Sequence, residues 1–179
     1  PKTKLVLNAD DLISCRLAPQ DANRVYYSIG RLADDTAEPQ GIVCDLTACP
    51  VCGGKLEYDY CHLRHLGHAT CKSCGFTNPE PDYELTALDR EAHTFTVCER
   101  SHEGAPTHTY RYGNYSITNL YNLFSTVVAA RELGLSAEAI GASLERGINV
   151  TALRYTEEEA DGKRLVAVAS KGENSTATS

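Results

Sequence analysis

The sequence has no methionine, no tryptophan and only three phenylalanines, so its apolar bulk comes from aliphatic side chains and ten tyrosines. It has no uncharged apolar run of about 18 residues, which excludes a membrane-crossing helix. The opening Pro1-Lys2-Thr3-Lys4-Leu5 lacks the apolar stretch of a secretory signal. Positive charge is in deficit: 17 Lys and Arg against 24 Asp and Glu give a net charge of −7, the wrong sign for a protein whose main task is gripping phosphate backbones. Three catalytic signatures are also missing: the phosphate loop G-x-x-x-x-G-K-[ST], the nucleophile elbow G-x-S-x-G and the metalloprotease H-E-x-x-H. Gly53-Gly54-Lys55 is followed by Leu56 and does not make a phosphate loop. With no methionine even at position 1, and a tail Glu173-Asn174-Ser175-Thr176-Ala177-Thr178-Ser179 that carries no helix or strand ending, the chain reads as an internal segment of something longer.

What is present is an ordinary globular mixture. The 179 residues are 42% hydrophobic and 23% charged, enough for one domain, or one domain with a small module, around a real core. Cysteine stands out with eight copies, at positions 15, 44, 49, 52, 61, 71, 74 and 98. Four of them form Cys49-Pro50-Val51-Cys52-Gly53 and Cys71-Lys72-Ser73-Cys74-Gly75, two C-x2-C pairs separated by 18 residues. Two residues between cysteines let one tight turn aim both sulfurs at a single ion, and a following glycine tolerates the unusual dihedrals of that turn. Two such knuckles complete a tetrahedron of thiolates around zinc. Disulfides or a redox C-x-x-C are the competing readings; the absent signal and the doubled, glycine-followed spacing oppose them. With four sulfurs and no open position, the metal is expected to be structural.

The surroundings are blander. Between the knuckles stand Tyr58, Tyr60, His62, His65 and His68, read as core or solvated residues of a small hairpin and not as catalytic groups. Cys44 and Cys61 read as buried thiols in preference to spare ligands, and Cys15 and Cys98, distant in sequence, as packing residues. From Cys44 to Glu80 three basic residues face four acidic ones, and four thiolates on one zinc add further negative charge, so the ribbon does not suit nucleic acid.

Along the chain, Lys4-Leu5-Val6-Leu7 is a short apolar run entering the polar turn Asn8-Ala9-Asp10-Asp11, and Arg24-Val25-Tyr26-Tyr27-Ser28-Ile29-Gly30 is a second strand-like run with room for a short helix between them. Two strands joined by a crossover predict a parallel sheet. Residues 31–40 read as a linker into the cysteine module. After Pro79 and Pro81 the pattern alternates: Tyr83, Leu85 and Ala87, then Phe95 and Val97, then Tyr110 and Tyr112, an antiparallel meander with loops near 88–92 and 101–106. Residues 119–133 carry Leu120, Leu123, Phe124, Val127 and Val128 at helical spacing and are closed by Gly134. Ser136 is placed to cap a second helix, with Leu135 and Ile140 as a hydrophobic staple, Glu138 in its first turn and Gly147 at its end. Asp161-Gly162 predicts a hairpin turn between two final strands.

Three segments together resemble one family. Asn8-Ala9-Asp10-Asp11 at a strand end is similar to the N-A-D-D turn of the Mur ligase central domain. Asn119-Leu120-Tyr121-Asn122 resembles that family's N-x-x-N helix start. The four-cysteine ribbon between them, with His65-Leu66-Gly67 before Cys71 and Cys74-Gly75-Phe76 after it, narrows the likeness to the MurT-like branch of the family. The likeness spans about residues 4 to 175 and implies a partial Mur-ligase-type α/β central domain over 1–43 and 81–179, with a zinc ribbon inserted at 44–80.

That resemblance also implies function. In that family the central domain binds ATP with Mg²⁺, and the resemblance implies a phosphate loop upstream of Pro1. Asn8, at the carboxyl end of a strand where α/β sheets bind ligands, would approach the adenine. Asn119 and Asn122 would line the same pocket, and Arg154 would stand near the nucleotide phosphates. A turn residue for Asn8, an N-cap for Asn119 and a solvent-facing residue for Arg154 are the structural alternatives. The sequence departs from the family at Thr118, where a ring often stands, and at Leu153-Arg154-Tyr155-Thr156, which lacks the family's Gly and Glu. The implied activity is amidation of the D-glutamate of lipid II to D-isoglutamine with a GatD-like glutaminase as partner, in the cytoplasm at the inner membrane face. The isolated piece is expected to be inactive as a ligase. The competing reading is a non-enzymatic zinc ribbon that mediates protein contacts on an α/β scaffold.

Overall fold

The computed structural model describes residues 3–17, 23–40, 46–62, 66–113, 120–146, 155–160 and 162–168. Its centre is a five-stranded mixed sheet in the order β1-β2-β5-β6-β7. Strands β1 (Leu5–Asn8), β2 (Arg24–Ile29) and β5 (Tyr83–Asp89) run parallel, with Val6 opposite Val25 and Tyr27 opposite Tyr83. Strands β6 (Thr94–Glu99) and β7 (Thr107–Arg111) continue it as the expected antiparallel meander. The short helix between the first two strands is a single 3-10 turn over Ser14–Arg16.

Two helices cover one face. Helix α1 (Leu120–Glu132) buries Leu120, Phe124, Val127 and Val128, the i, i+4, i+7, i+8 stripe that the sequence shows. Gly134 then ends it with φ +90°, a conformation that favours glycine. Helix α2 (Ala137–Arg146) begins under Ser136, whose Oγ accepts the Ala139 N–H at 3.2 Å, and buries Ile140 and Leu144; Leu135, expected to staple against Ile140, stays 45% exposed. These helical side chains join Val25, Tyr27, Ile29, Tyr83, Leu85, Phe95, Val97 and Tyr110 of the sheet in one core.

Between β2 and β5 the chain leaves the sheet to form an antiparallel hairpin of β3 (Leu56–His62) and β4 (Leu66–Cys71), flanked by the two cysteine knuckles. The hairpin packs through a second core in which Leu56, Ala69, Cys49 and Cys71 meet Leu12 and Cys15, with Tyr26 of β2 against them. Alternation along β2 points Tyr26 away from Val25 and Tyr27, so the ribbon lies on the sheet face opposite the helices. Cys15 is therefore a neighbour of the knuckles in space despite its distance in sequence. Strands β8 (Tyr155–Ala160) and β9 (Lys163–Val168) form a separate hairpin, with Gly162 at φ +67° in the turn where Asp161-Gly162 predicts it. No helix among the described residues is long and apolar enough to cross a membrane.

Candidate metal centre and nucleotide site

The two knuckles are near-copies of one another. In each, the first cysteine's N–H donates to a carbonyl five residues on (Cys49 to Gly54 at 2.8 Å, Cys71 to Phe76 at 2.8 Å). In each, the glycine after the second cysteine donates back to the first cysteine's carbonyl (Gly53 to Cys49 and Gly75 to Cys71, both 2.9 Å). Gly53 at φ +73° and Gly75 at φ +72° occupy the left-handed region that closes each turn, which explains the glycine after each pair. The second knuckle thus repeats the first 22 residues later, down to the flanking bridges Ala48 to Lys55 and Thr70 to Thr77.

The four sulfurs face a common centre. Cys49 Sγ lies 3.7 Å from Cys74 Sγ and Cys52 Sγ lies 3.6 Å from Cys71 Sγ, and all four fall within 4.8 Å of one another. A regular tetrahedron with Zn–S of about 2.3 Å has edges of about 3.8 Å, close to these two Sγ–Sγ distances, so the cluster suits one zinc ion. Backbone N–H groups already point at the sulfurs, Val51 to Cys49 and Gly54 to Cys52 at 3.4 Å each. Desolvation raises the Cys71 thiol, but the N–H groups of Cys74 and Ser73 and the neighbouring thiols outweigh it and bring Cys71 down to about 6. At Cys74 the Phe76 N–H pulls the other way, yet desolvation and the sulfurs around it push that thiol up to about 12. Four thiols this close cannot ionise together in the absence of a cation, and a divalent ion supplies the missing charge. Cys61 is buried outside this cage, its backbone paired with Thr36, and Cys98 packs with its thiol toward the Ala105 carbonyl; Cys44 lies outside the described residues.

The second group of residues gathers at the carboxyl ends of β1 and β2. Asn8 is half-buried, and its Oδ1 accepts the Asp10 N–H at 3.0 Å, an Asx turn. Asp10 is buried, and its Oδ2 accepts both the Ile29 N–H at 2.8 Å and the Tyr121 hydroxyl at 2.9 Å. The Asn8 turn and the first turn of α1 are thereby joined. Burial pushes the Asp10 carboxyl up to about 6, against the lowering pull of the Ile29 N–H, of His62 and of Tyr121. Asn122 is exposed one residue beyond Tyr121, while Asn119 and Arg154 lie outside the described residues. A small depression opens beside this cluster, lined by Ile29, Leu32, Asp35, His62, Arg90 and Leu120.

Sequence reasoning read His62 as a core or solvated histidine, and it is a core histidine with a specific task. Its Nδ1 stands 2.7 Å from Asp35 Oδ1 and its Nε2 2.8 Å from the Ile29 carbonyl. His68 instead pairs with Asp59 at the ribbon surface, and His65 lies outside the described residues. Asp35 (paired with His62), Tyr121 (donating to Asp10) and Asn78 (its Nδ2 donating to the Ala9 carbonyl at 2.7 Å) also take part in holding the site and were not singled out as functional. Only Tyr121, inside the Asn-x-x-Asn segment, carried a sequence signal; Asp35 and Asn78 sit in unremarkable loops.

Comparisons with known proteins agree with this architecture. The chain is 31% identical over 137 residues, 76% of its length, to the MurT subunit of the glutamine-hydrolyzing lipid II isoglutaminyl synthase of Staphylococcus aureus strain COL, and equally so to that of strain N315. The matched part is 29% of those subunits, so the chain spans less than a third of the curated relatives it resembles. A UPF0434 protein of Hahella chejuensis is 40% identical over 55 residues, 31% of this chain and 85% of that protein. Among solved structures, a pseudomurein peptide ligase type C from Methanothermus fervidus superimposes with a TM-score of 0.66 at 29% identity, covering 82% of this chain and 28% of that one. No family model matches the sequence. The mixed sheet with its helices is a Mur-ligase-type ligase fold, carrying a four-cysteine ribbon. Over three quarters of its length the chain is similar to MurT, and its fold resembles that of the pseudomurein peptide ligase.

Proposed function

We propose that this chain is the central, nucleotide-binding region of an ATP-dependent carbon–nitrogen ligase of cell-wall synthesis, comprising 1–43 and 81–179 with a zinc ribbon inserted at 44–80. The observation that carries the reading is the junction of the Asn8 turn with the first turn of α1 through Asp10 and Tyr121, at the carboxyl ends of the parallel strands β1 and β2. That is where open α/β sheets bind ligands. Asn8 approaches the adenine, Asn119 and Asn122 line the same pocket, and Arg154 stands near the phosphates.

The finer reading follows the likeness to MurT. The substrate is lipid II, and the ligase transfers the γ-phosphoryl of ATP to the α-carboxylate of its D-glutamate. The resulting acyl phosphate is attacked at the carbonyl carbon by ammonia from a GatD-like glutaminase, phosphate leaves, and D-isoglutamine remains. Mg²⁺ supplies charge neutralisation to the transferring phosphoryl. The ribbon's Cys49, Cys52, Cys71 and Cys74 hold one structural Zn²⁺. The reaction takes place in the cytoplasm, at the inner face of the membrane that carries lipid II. The competing reading is a protein-contact ribbon on a non-enzymatic α/β scaffold.

The test is calorimetric titration of Mg-ATP into the full-length protein. Asn8→Ala and Asn119→Ala should each weaken binding about tenfold, equivalent to about 1.4 kcal/mol. Unchanged affinity in both variants would remove the nucleotide reading.

A further inference from the structure

The ribbon is bound to the rest of the molecule by more than its apolar core. Asn78, just past the second knuckle, is buried, and its single carboxamide spans two parts of the fold. Its Oδ1 accepts the Ala69 N–H at 2.8 Å, and its Nδ2 donates to the Gly67 carbonyl at 3.0 Å and to the Ala9 carbonyl at 2.7 Å. Ala9 lies in the middle of the Asn8-Ala9-Asp10 turn, is fully buried, and gives its N–H to Tyr27 O at 2.8 Å. From the other ribbon strand, His62 reaches the Ile29 carbonyl, and the Ile29 N–H is the group that Asp10 holds. The strand-end carbonyls beside the Asn8 turn are therefore taken up by two ribbon side chains.

We propose that Asn78 and His62 are positioning residues through which the zinc ribbon sets the geometry of the Asn8 turn, making the ribbon a working part of the nucleotide site and not an appendage to it. The physical reason is the cost of burial. A carbonyl with no exposure needs a donor, and the donors here come from the insert. When Asn78 is replaced by an apolar side chain, Ala9 O loses its partner, and the turn relieves the loss by moving toward water. That movement carries Asn8 and Asp10 with it. Its consequence for nucleotide binding rests on the nucleotide reading above; the positioning of the turn does not.

The test uses the full-length protein with Asn78→Leu, His62→Phe and His62→Gln. The glutamine can still donate to Ile29 O from its tip and serves as the conservative rescue. Asp59→Ala, which removes only the surface pair with His68, is the control. Zinc content, backbone amide exchange over residues 8–12 and Mg-ATP affinity are measured on each. With zinc retained at the wild-type level, Asn78→Leu and His62→Phe should speed exchange over 8–12 by about tenfold or more and weaken Mg-ATP about fivefold, with His62→Gln and Asp59→Ala near wild type. Faster exchange over 8–12 in a protein whose wild type does not bind Mg-ATP would keep the positioning role and discard the nucleotide reading. Unaltered exchange over 8–12 in zinc-replete Asn78→Leu and His62→Phe overturns the proposal. Should Asn78→Leu fail to fold, the contrast between His62→Phe and His62→Gln decides alone.

Discussion

Asp10 shows how one residue ties local chemistry to stability. Its carboxylate loses water on folding and regains two donors, Ile29 N–H and Tyr121 O–H, but burial still wins and lifts it from an ordinary 3.8 to about 6. The folded chain thus holds a proton that the unfolded chain has already released. Asp10 favours folding fully below about pH 4, and that contribution fades as pH rises through about 6, an effect of about 3 kcal/mol. Asp10→Asn keeps an oxygen acceptor for both donors and removes the buried charge. In denaturant titrations the variant should be at least as stable as wild type at pH 7.5, with the gap narrowing or reversing by pH 4.5; a gap that does not depend on pH contradicts this origin. Nothing in Asn8-Ala9-Asp10-Asp11 says which acid is buried, since Asp11 caps Ile13 and Ser14 at the surface side of the same turn.

Between elements, the decisive contacts are few and polar. Helix α1 is fixed to β6 by Arg131, which meets the buried Glu99 in two-pronged fashion, Nε to Oε1 at 2.5 Å and Nη2 to Oε2 at 2.9 Å. Burial drives Glu99 upward, but Arg131, His102 and His108 together outweigh it and hold the carboxyl below its usual range. Arg131→Met leaves that carboxylate buried among weaker partners and should lower stability by about 3 kcal/mol, measured by urea unfolding at neutral pH. A loss under about 1 kcal/mol would mean that the histidines or solvent suffice. The helix itself was legible from the spacing of Leu120, Phe124, Val127 and Val128. Its electrostatic anchor was not, because Glu99 and Arg131 are 32 residues apart and neither belongs to a pattern.

At the scale of the whole molecule, the metal is expected to matter beyond the ribbon, because Cys49 and Cys71 share a core with Leu12 and Cys15 directly after the Asn8 turn. Chelation at pH 7 should release one zinc per chain, counted with a colorimetric indicator, and expose that core, so that amide exchange rises over residues 9–16 as well as in β3 and β4. Exchange confined to the ribbon would show that residues 9–16 are uncoupled from the metal despite sharing its core.

The sequence alone determined the parts whose cause is local. Cysteine spacing with a following glycine builds each knuckle within six residues, apolar periodicity marks α1 and α2, and alternation marks the meander. Asn8 and Asn122 were named for their place in short segments, and those segments do meet. What only the tertiary structure decided is which side chains complete one another across distance: Cys15 against the knuckles, Asp10 with Tyr121, His62 with Ile29, and Asn78 with Ala9. Each of these pairs joins a buried polar or apolar group to a partner on another element. Burial is set by the packing of the entire chain, so no window of sequence contains that information.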